Sequence, residues 1–166
     1  MKQRLYRFRA LAAVLAALTL SGPATAGEQV PFKGQSSGVV TTVGFDPVAG
    51  IVYVHGVGKG EATHLGYFSV TTDVQIHFPT GIVFGIVLGT STLTAANGDM
   101  LFAKLVGYGV DPTHGLGTFT ILGGTGRFQG ATGSYQQTIT FLALPGTSET
   151  IPYTEVLEGT ISSGHQ

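Results

Sequence analysis

The stretch FSVTTDVQIHFPTG, residues 68–81, indicates the fold class. Its even-numbered residues from 68 to 78 are Phe, Val, Thr, Val, Ile and Phe, whereas its odd-numbered residues from 69 to 77 are Ser, Thr, Asp, Gln and His. Successive side chains of a β-strand point to opposite faces, so this alternation predicts a strand with one apolar and one polar face. The Pro-Thr-Gly that follows predicts a turn.

Similar segments lie on both sides of this strand. No helical period appears after residue 26, and short β-rich runs are separated by Gly, Pro, Asn and Asp. Residues 82–88 are nearly all apolar, which indicates burial of both faces or an interface, and Asn-Gly-Asp at 97–99 indicates a hairpin. The predicted strands are residues 38–45, 51–57, 61–65, 68–78, 82–88 with threonines continuing one face to 94, 100–108, 117–122, 135–142 and 155–162.

About eight strands in one chain predict an all-β fold, a single antiparallel β-barrel. A sheet of this size twists, and closing it removes the unpaired edges that invite aggregation. Such a barrel is filled by side chains or holds one small ligand. The many glycines within strands are typical of bulges and sharp corners. Residues 27–35 and 164–166 are predicted to be loose tails.

The N-terminus has the order of a secretory signal peptide. A basic segment precedes eleven apolar residues, 10–20, and Ala24-Thr25-Ala26 is typical of a cleavage site. Eleven residues are too few for a membrane span, which needs about 20. We therefore expect a signal peptide at 1–26, one β-barrel domain at 27–166, and export to the periplasm or the cell exterior.

Composition excludes several classes of partner. Residues 27–166 keep four basic residues against nine acidic ones, a net charge of −5. So few cations argue against nucleic acid and against an anionic membrane as partners. The chain has no cysteine, so disulfides do not stabilise it. Charged residues are only 10% of the chain, so either a second subunit covers part of its surface or threonine-rich surfaces suffice.

The most distinctive motif is GGTGRFQGATG, residues 123–133. We predict that Gly126 adopts a backbone conformation closed to other residues, while the aromatic and alanine side chains pack inward. The motif therefore predicts a structural corner between two strands, and its spacing does not fit a phosphate-binding loop. The residues assigned to it are Gly123, Gly124, Gly126, Phe128, Ala131 and Gly133.

This motif resembles the segment shared by plant dirigent proteins and allene oxide cyclases. Residues 95–102 and 62–68 also resemble segments of that family, the latter of its bacterial exported members. The resemblance implies an eight-stranded antiparallel barrel with a central cavity, often assembled as a homotrimer, that steers reactive apolar intermediates without a cofactor. The match lies in fold-bearing glycines, and the family's cavity acids cannot be carried over to positions of this chain.

Few residues suggest catalysis. Tyr53 and His55 share one face of their strand, and Asp73 and His77 share the polar face of theirs, so these four are the candidate catalytic residues. If that polar face lined the cavity, burial would raise the pKa of Asp73. The opposite face of the same strand is apolar and is the better candidate for the cavity lining, so the pattern favours a position of Asp73 in water. No nucleophile motif, close histidine pair or cofactor motif is present, so we expect neither metal nor cofactor.

Three functions follow from these observations. The first is binding of a small apolar or aromatic ligand inside the barrel. The second is a cofactor-free enzyme of the cyclase or dirigent type, and the sequence leaves open whether the protein is an enzyme. The third is a structural or assembly role for a filled barrel.

Overall fold

The computed structural model describes residues 27–79, 84–144 and 149–162. These residues form a closed antiparallel barrel in which each strand pairs with the next and the last pairs with the first. A short 3-10 turn, Gly126–Phe128, precedes the seventh strand. The all-β prediction and the eight-stranded antiparallel barrel are confirmed. The strands are β1 Gln29–Asp46, β2 Ile51–Ala62, β3 Gly66–His77, β4 Ile86–Ala95, β5 Met100–Asp111, β6 His114–Gly124, β7 Thr132–Phe141 and β8 Thr150–Ser162.

Strand β3 shows why the chain folds this way. Phe68 and Val70 are buried in the barrel, whereas Ser69 and Thr71 are exposed on its outer wall. The predicted alternation is therefore real, and it continues around the barrel because every pairing is antiparallel and in register over most of its length. Residue parity thus decides whether a side chain faces the interior or water.

The two ends of the barrel differ. We call the end that carries the connection at 125–131 the lower end, and the end that carries the β1–β2 turn at 47–50 the upper end. A buried apolar cluster fills the lower half, with Phe32 and Leu101 completely inaccessible. Phe128 and Leu65 cover it from the connecting segments, and the Arg127 guanidinium donates a hydrogen bond to the Leu65 carbonyl oxygen.

The glycine motif forms the corner between β6 and β7. Gly126 has φ of +55°, and the backbone N–H of Met100 donates to the Thr125 hydroxyl at 2.9 Å. Phe128 and Ala131 are buried. The motif thus joins the β4–β5 hairpin to the lower end of the barrel, which is a structural role.

Two segment predictions are wrong. Residues 29–35, predicted as a loose tail, are the first part of β1 and pair with β8 from Ser162 to Val156. Residues 61–65 are not a separate strand, because β2 runs to Ala62 and residues 63–65 form a turn. The predicted signal peptide at 1–26, the tail at 164–166 and positions 82–83 of a predicted strand lie outside the described residues, and β4 begins at Ile86. No helix of the described segments is long and apolar enough to cross a membrane.

Inward-facing glycines allow the wall to bend sharply. A Cβ at Gly38 would lie 2.6 Å from the Cα of Gly58 on the next strand, and a Cβ at Gly107 would lie 3.1 Å from the Cα of Gly117. These distances leave no room for a side chain, so glycine is needed where these adjacent strands approach closely. Such close approach is seen at β1–β2 and at β5–β6.

Candidate functional site

A carboxylic acid lies inside the barrel. Glu155 belongs to β8, whose odd-numbered residues face inward, and its neighbours on that face are Tyr153 and Leu157. Only 7% of Glu155 is accessible to solvent. A buried carboxyl requires hydrogen-bond partners, because burial of an unpaired polar group costs several kcal/mol.

The two neighbouring strands supply these partners. Ser36 on β1 lies opposite Glu155, and its hydroxyl donates a hydrogen bond to Glu155 Oε1 at 2.5 Å. The side-chain amide of Gln137 on β7 donates to Glu155 Oε2. Both carboxyl oxygens are therefore held from opposite sides, which fixes the orientation of the group.

The surroundings oppose ionisation. Burial raises the pKa of Glu155, and the hydrogen bonds from Ser36 and Gln137 offset only part of that effect. Burial, followed by the negative charge of Glu155, also raises the pKa of Tyr153 to about 12 and raises the pKa of Tyr135 further. The site therefore favours uncharged groups, and a protonated Glu155 can donate a hydrogen bond or a proton.

Packing is dense below this acid and looser above it. Below, Tyr135 stacks on Phe119 with ring centroids 4.7 Å apart and packs against Phe32 at 5.0 Å. Above, the inward-facing Val54 and Ile139 are only partly buried. An inward-facing side chain is reached by solvent only where the interior leaves space, so Glu155 lies between a filled lower half and an accessible upper half.

Exposed apolar residues follow the strand ends at the upper end. Phe45 lies beside the β1–β2 turn and Val48 lies within it, with Val48 96% exposed. Phe78 follows β3, and Leu142 and Leu144 follow β7. These side chains form an apolar rim continuous with the valines and isoleucines inside the upper half.

The candidate catalytic residues lie elsewhere. His55 and Asp73 pair across β2 and β3 on the outer wall, with Nδ1 2.7 Å from Oδ1 and with 40% and 70% of their side chains exposed. Tyr53 lies on the same outer face, and His77 at the end of β3 lies opposite Ile51. The structure brings His55 and Asp73 together but places neither in the interior. Asp73 faces water, as the apolar lining of β3 favoured.

Sequence reasoning did not find Glu155 as a site residue. The predicted strand began at 155, whereas β8 begins at Thr150. With Ile151 and Tyr153 included, Glu155 would have stood out as the one acid on a face otherwise occupied by Ile, Tyr, Leu, Gly and Ile. The described residues contain no group of three His, Asp or Glu side chains placed to hold a metal ion.

This geometry defines a class of protein, an all-β barrel closed at one end with a buried acid at mid-height. Among solved structures the chain is similar to the pterocarpan synthase dirigent protein PsPTS1, with 11% identity, a TM-score of 0.55, and coverage of 84% of this chain and 97% of that one. It is also similar to the pterocarpan synthase dirigent protein GePTS1, with 13% identity, a TM-score of 0.54, and coverage of 95% and 98%. No protein-family model matches the sequence, and no curated protein matches it. The fold is therefore dirigent-like, in agreement with the resemblance in the glycine motif.

Proposed function

We propose that the barrel binds a small apolar or aromatic molecule in its upper half, with a polar group of the ligand directed toward Glu155. The observation that carries this proposal is a buried, doubly hydrogen-bonded carboxyl directly below partly accessible apolar side chains. Ligand sites typically combine an apolar lining with a few fixed polar groups. The apolar rim provides an entrance for a molecule that is poorly soluble in water.

The energetics of the site favour a neutral ligand over an anion. Apolar contact contributes about 25 cal/mol for each Å² removed from water, and one hydrogen bond adds about 1 kcal/mol. Because the pKa of Glu155 is raised, a neutral ligand with a hydroxyl or carbonyl oxygen fits the site better than an anion. We infer a neutral phenol-like or carbonyl-containing ligand rather than a fatty acid or a phosphate ester.

Fluorescence titration with 2-naphthol and with naphthalene tests this proposal. We expect both probes to bind and 2-naphthol to bind about fivefold more tightly, the equivalent of one hydrogen bond of about 1 kcal/mol. Glu155→Leu should remove that preference. Glu158→Leu is the matched control, because Glu158 lies on the same strand but faces outward with 67% of its side chain exposed. If neither probe binds, or if both variants behave alike, the interior site is wrong.

A second candidate is a cofactor-free enzyme of the cyclase or dirigent type. The raised pKa of Glu155 favours it, because a protonated carboxyl in an apolar chamber can act as a general acid on a reactive intermediate. The names of the two similar structures agree with this class of activity. Opening of racemic styrene oxide in the presence of the protein tests it. An enantiomeric excess that Glu155→Gln abolishes supports acid-assisted catalysis, and a racemic product leaves only binding.

We also propose that the protein is exported and self-associates, as a homotrimer or another oligomer. The signal peptide pattern supports export, and an N-terminus at Gly27 in the exported protein would verify it. Ile86, Leu88, Val106 and Tyr108 form an exposed apolar patch on β4 and β5, in which Ile86 lies opposite Tyr108 and Leu88 opposite Val106. Sedimentation of the wild type and of Val106→Glu tests whether this patch mediates assembly.

A further inference from the structure

A broad groove lies on the outer wall of the barrel. Its volume is about 1030 Å³, and residues from six strands line it: β7, β8, β1, β2, β3 and β4. The outside of a barrel is ordinarily convex, so a groove of this breadth requires an inward dent in the wall.

Inward-facing glycines explain the dent. Gly58 and Gly60 lie on the inner face of β2 beneath the groove, and a Cβ at Gly58 would lie 2.5 Å from the Tyr153 hydroxyl oxygen. Gly34 and Gly38 occupy the inner face of the adjoining β1. The absence of side chains at these positions lets the backbone of these two strands approach the residues behind them, which accounts for a concave outer surface.

Polar side chains line the groove in register. Antiparallel pairing aligns one outward-facing residue from each of the six strands into a single row, in which neighbours are about 4.8 Å apart. Among the described residues the hydroxyls of this row have no hydrogen-bond partner, so they remain free to bind. The row consists of Thr140, Thr154, Ser37, Lys59, Ser69 and Thr94.

The adjacent row adds an aromatic ring. Tyr67 is 71% exposed and lies opposite Glu61, which in turn lies opposite Gln35. Hydrogen bonding to the Glu61 carboxylate, together with its charge, raises the pKa of Tyr67. The phenol ring thus lies beside the Glu61 carboxylate and is largely open to solvent.

The charges of the groove cancel. Apart from the buried Glu155, Lys59 and Glu61 are the only acidic or basic residues among the residues that line it, and they carry opposite signs. A polyanion or a polycation therefore gains nothing there. A protein partner would need an apolar interface core, and Val156 and Tyr67 are the only large exposed apolar side chains in the groove.

We propose that this groove binds a neutral polysaccharide or oligosaccharide with β-linked sugars. Such a chain is uncharged, presents hydroxyls at a repeat comparable to the strand spacing, and carries apolar C–H faces that stack on aromatic rings. The rows of hydroxyl and amide groups match the first two properties, and the open face of Tyr67 matches the third. The exposed side chains of this groove lie on the outer face of the barrel wall, whereas the interior site lies on the inner face, and atoms of Ser36 and Glu155 contribute to both.

Affinity electrophoresis through gels that contain a neutral polysaccharide tests the proposal. The gels contain mixed-linkage β-glucan, hydroxyethylcellulose or galactomannan, with polygalacturonate as a charged comparison. We expect at least one neutral polymer to retard the protein, Tyr67→Ala to weaken that binding about tenfold, and Tyr67→Phe to retain it. Leu122→Ala is the control, because Leu122 is also a large exposed side chain, with 62% of its surface accessible, but lies on β6, outside the groove.

The outcomes separate this site from the interior one. Tyr67→Ala should leave 2-naphthol binding unchanged, because Tyr67 lies on the outer wall. Retardation by polygalacturonate alone would overturn the proposal, as would equal weakening by Tyr67→Ala and Leu122→Ala. If the groove instead engages a protein, none of the neutral polymers retards the chain, which also overturns it.

Discussion

Replacing Glu155 by glutamine should change how stability depends on pH. The substitution keeps the shape of the side chain and, like a protonated carboxyl, offers one accepting oxygen and one donating group, but it has no ionisable proton. In the wild type, burial raises the pKa of Glu155 in the folded state above its value in the unfolded chain. Between these two values the folded state holds a proton that the unfolded state has released, so the stability of the wild type falls as pH rises through that window.

The expected slope of the unfolding free energy with pH follows from the binding of one proton. A difference of one bound proton changes the free energy of unfolding by about 1.4 kcal/mol for each pH unit. The wild type should therefore lose up to about 1.4 kcal/mol per pH unit above the unfolded-state pKa of about 4.3, and the loss should stop at the folded-state pKa. Glu155→Gln should lack this slope, so the difference between the two proteins isolates Glu155 from all other titrating groups.

Urea unfolding at half-unit steps from pH 3.5 to pH 9 measures this difference. Glu158→Gln is the control, because Glu158 is the exposed acid of the same strand. The pH at which the difference between wild type and Glu155→Gln levels off gives the folded-state pKa directly. A difference that is constant over the whole range would refute the reasoning, because it would show that the native environment leaves Glu155 ionising as it does in the unfolded chain.

Two further predictions concern the connections between strands. Asp111→Asn should lower the stability of the protein above pH 4 but not near pH 2. The backbone N–H of Thr113 and the His114 side chain lower the pKa of Asp111 to about 2, so the stability that the carboxylate contributes is lost as pH falls from 4 to 2. The melting temperatures of wild type and Asp111→Asn, measured from pH 6 to pH 2, should therefore converge at the acid end. Gly126→Ala should destabilise the protein by at least about 1 kcal/mol because of its left-handed φ, and further because the new Cβ overlaps the Asp99 carboxylate. Gly66→Ala is the control, since Gly66 is also left-handed but no atom lies near its Cβ, so that variant should show the backbone strain alone. Equal losses of stability in urea unfolding would contradict the predicted overlap.

The local sequence pattern predicted the architecture, because the alternation of apolar and polar residues in a strand reflects only which face of that strand is buried. The β3 segment, the Asn-Gly-Asp hairpin and the glycine corner are each specified within about fifteen residues. The first part of β1 is different, since it contains Pro31 and Gly34, which locally argue against a strand. It becomes a strand because β8, more than one hundred residues away, needs a partner to close the barrel. Pro31 is tolerated there because β1 pairs with β2 only from Gly34 onward.

The interior site was harder to predict for the same reason. Gln137 and Glu155 come from the consecutive strands β7 and β8, but Ser36 lies 119 residues from Glu155 and meets it only when β1 pairs with β8 to close the barrel. Each is an ordinary polar residue in its own segment, and only the register shows that the three side chains meet. The outer pair of His55 and Asp73 was the more conspicuous pattern, because adjacent strands joined by a short turn place them opposite each other.

The two proposed sites use opposite faces of the same strands. On β1, Ser36 faces the interior acid while Gln35 and Ser37 face the groove; on β8, Glu155 faces inward while Thr154 faces outward. The wall between the sites is one strand thick, and atoms of Ser36 and Glu155 reach the floor of the groove. A one-residue slip between β1 and β8 would exchange the two sets of side chains. Gly58 in this wall lies so close to the Tyr153 hydroxyl that a side chain there would disturb the interior face and the groove together.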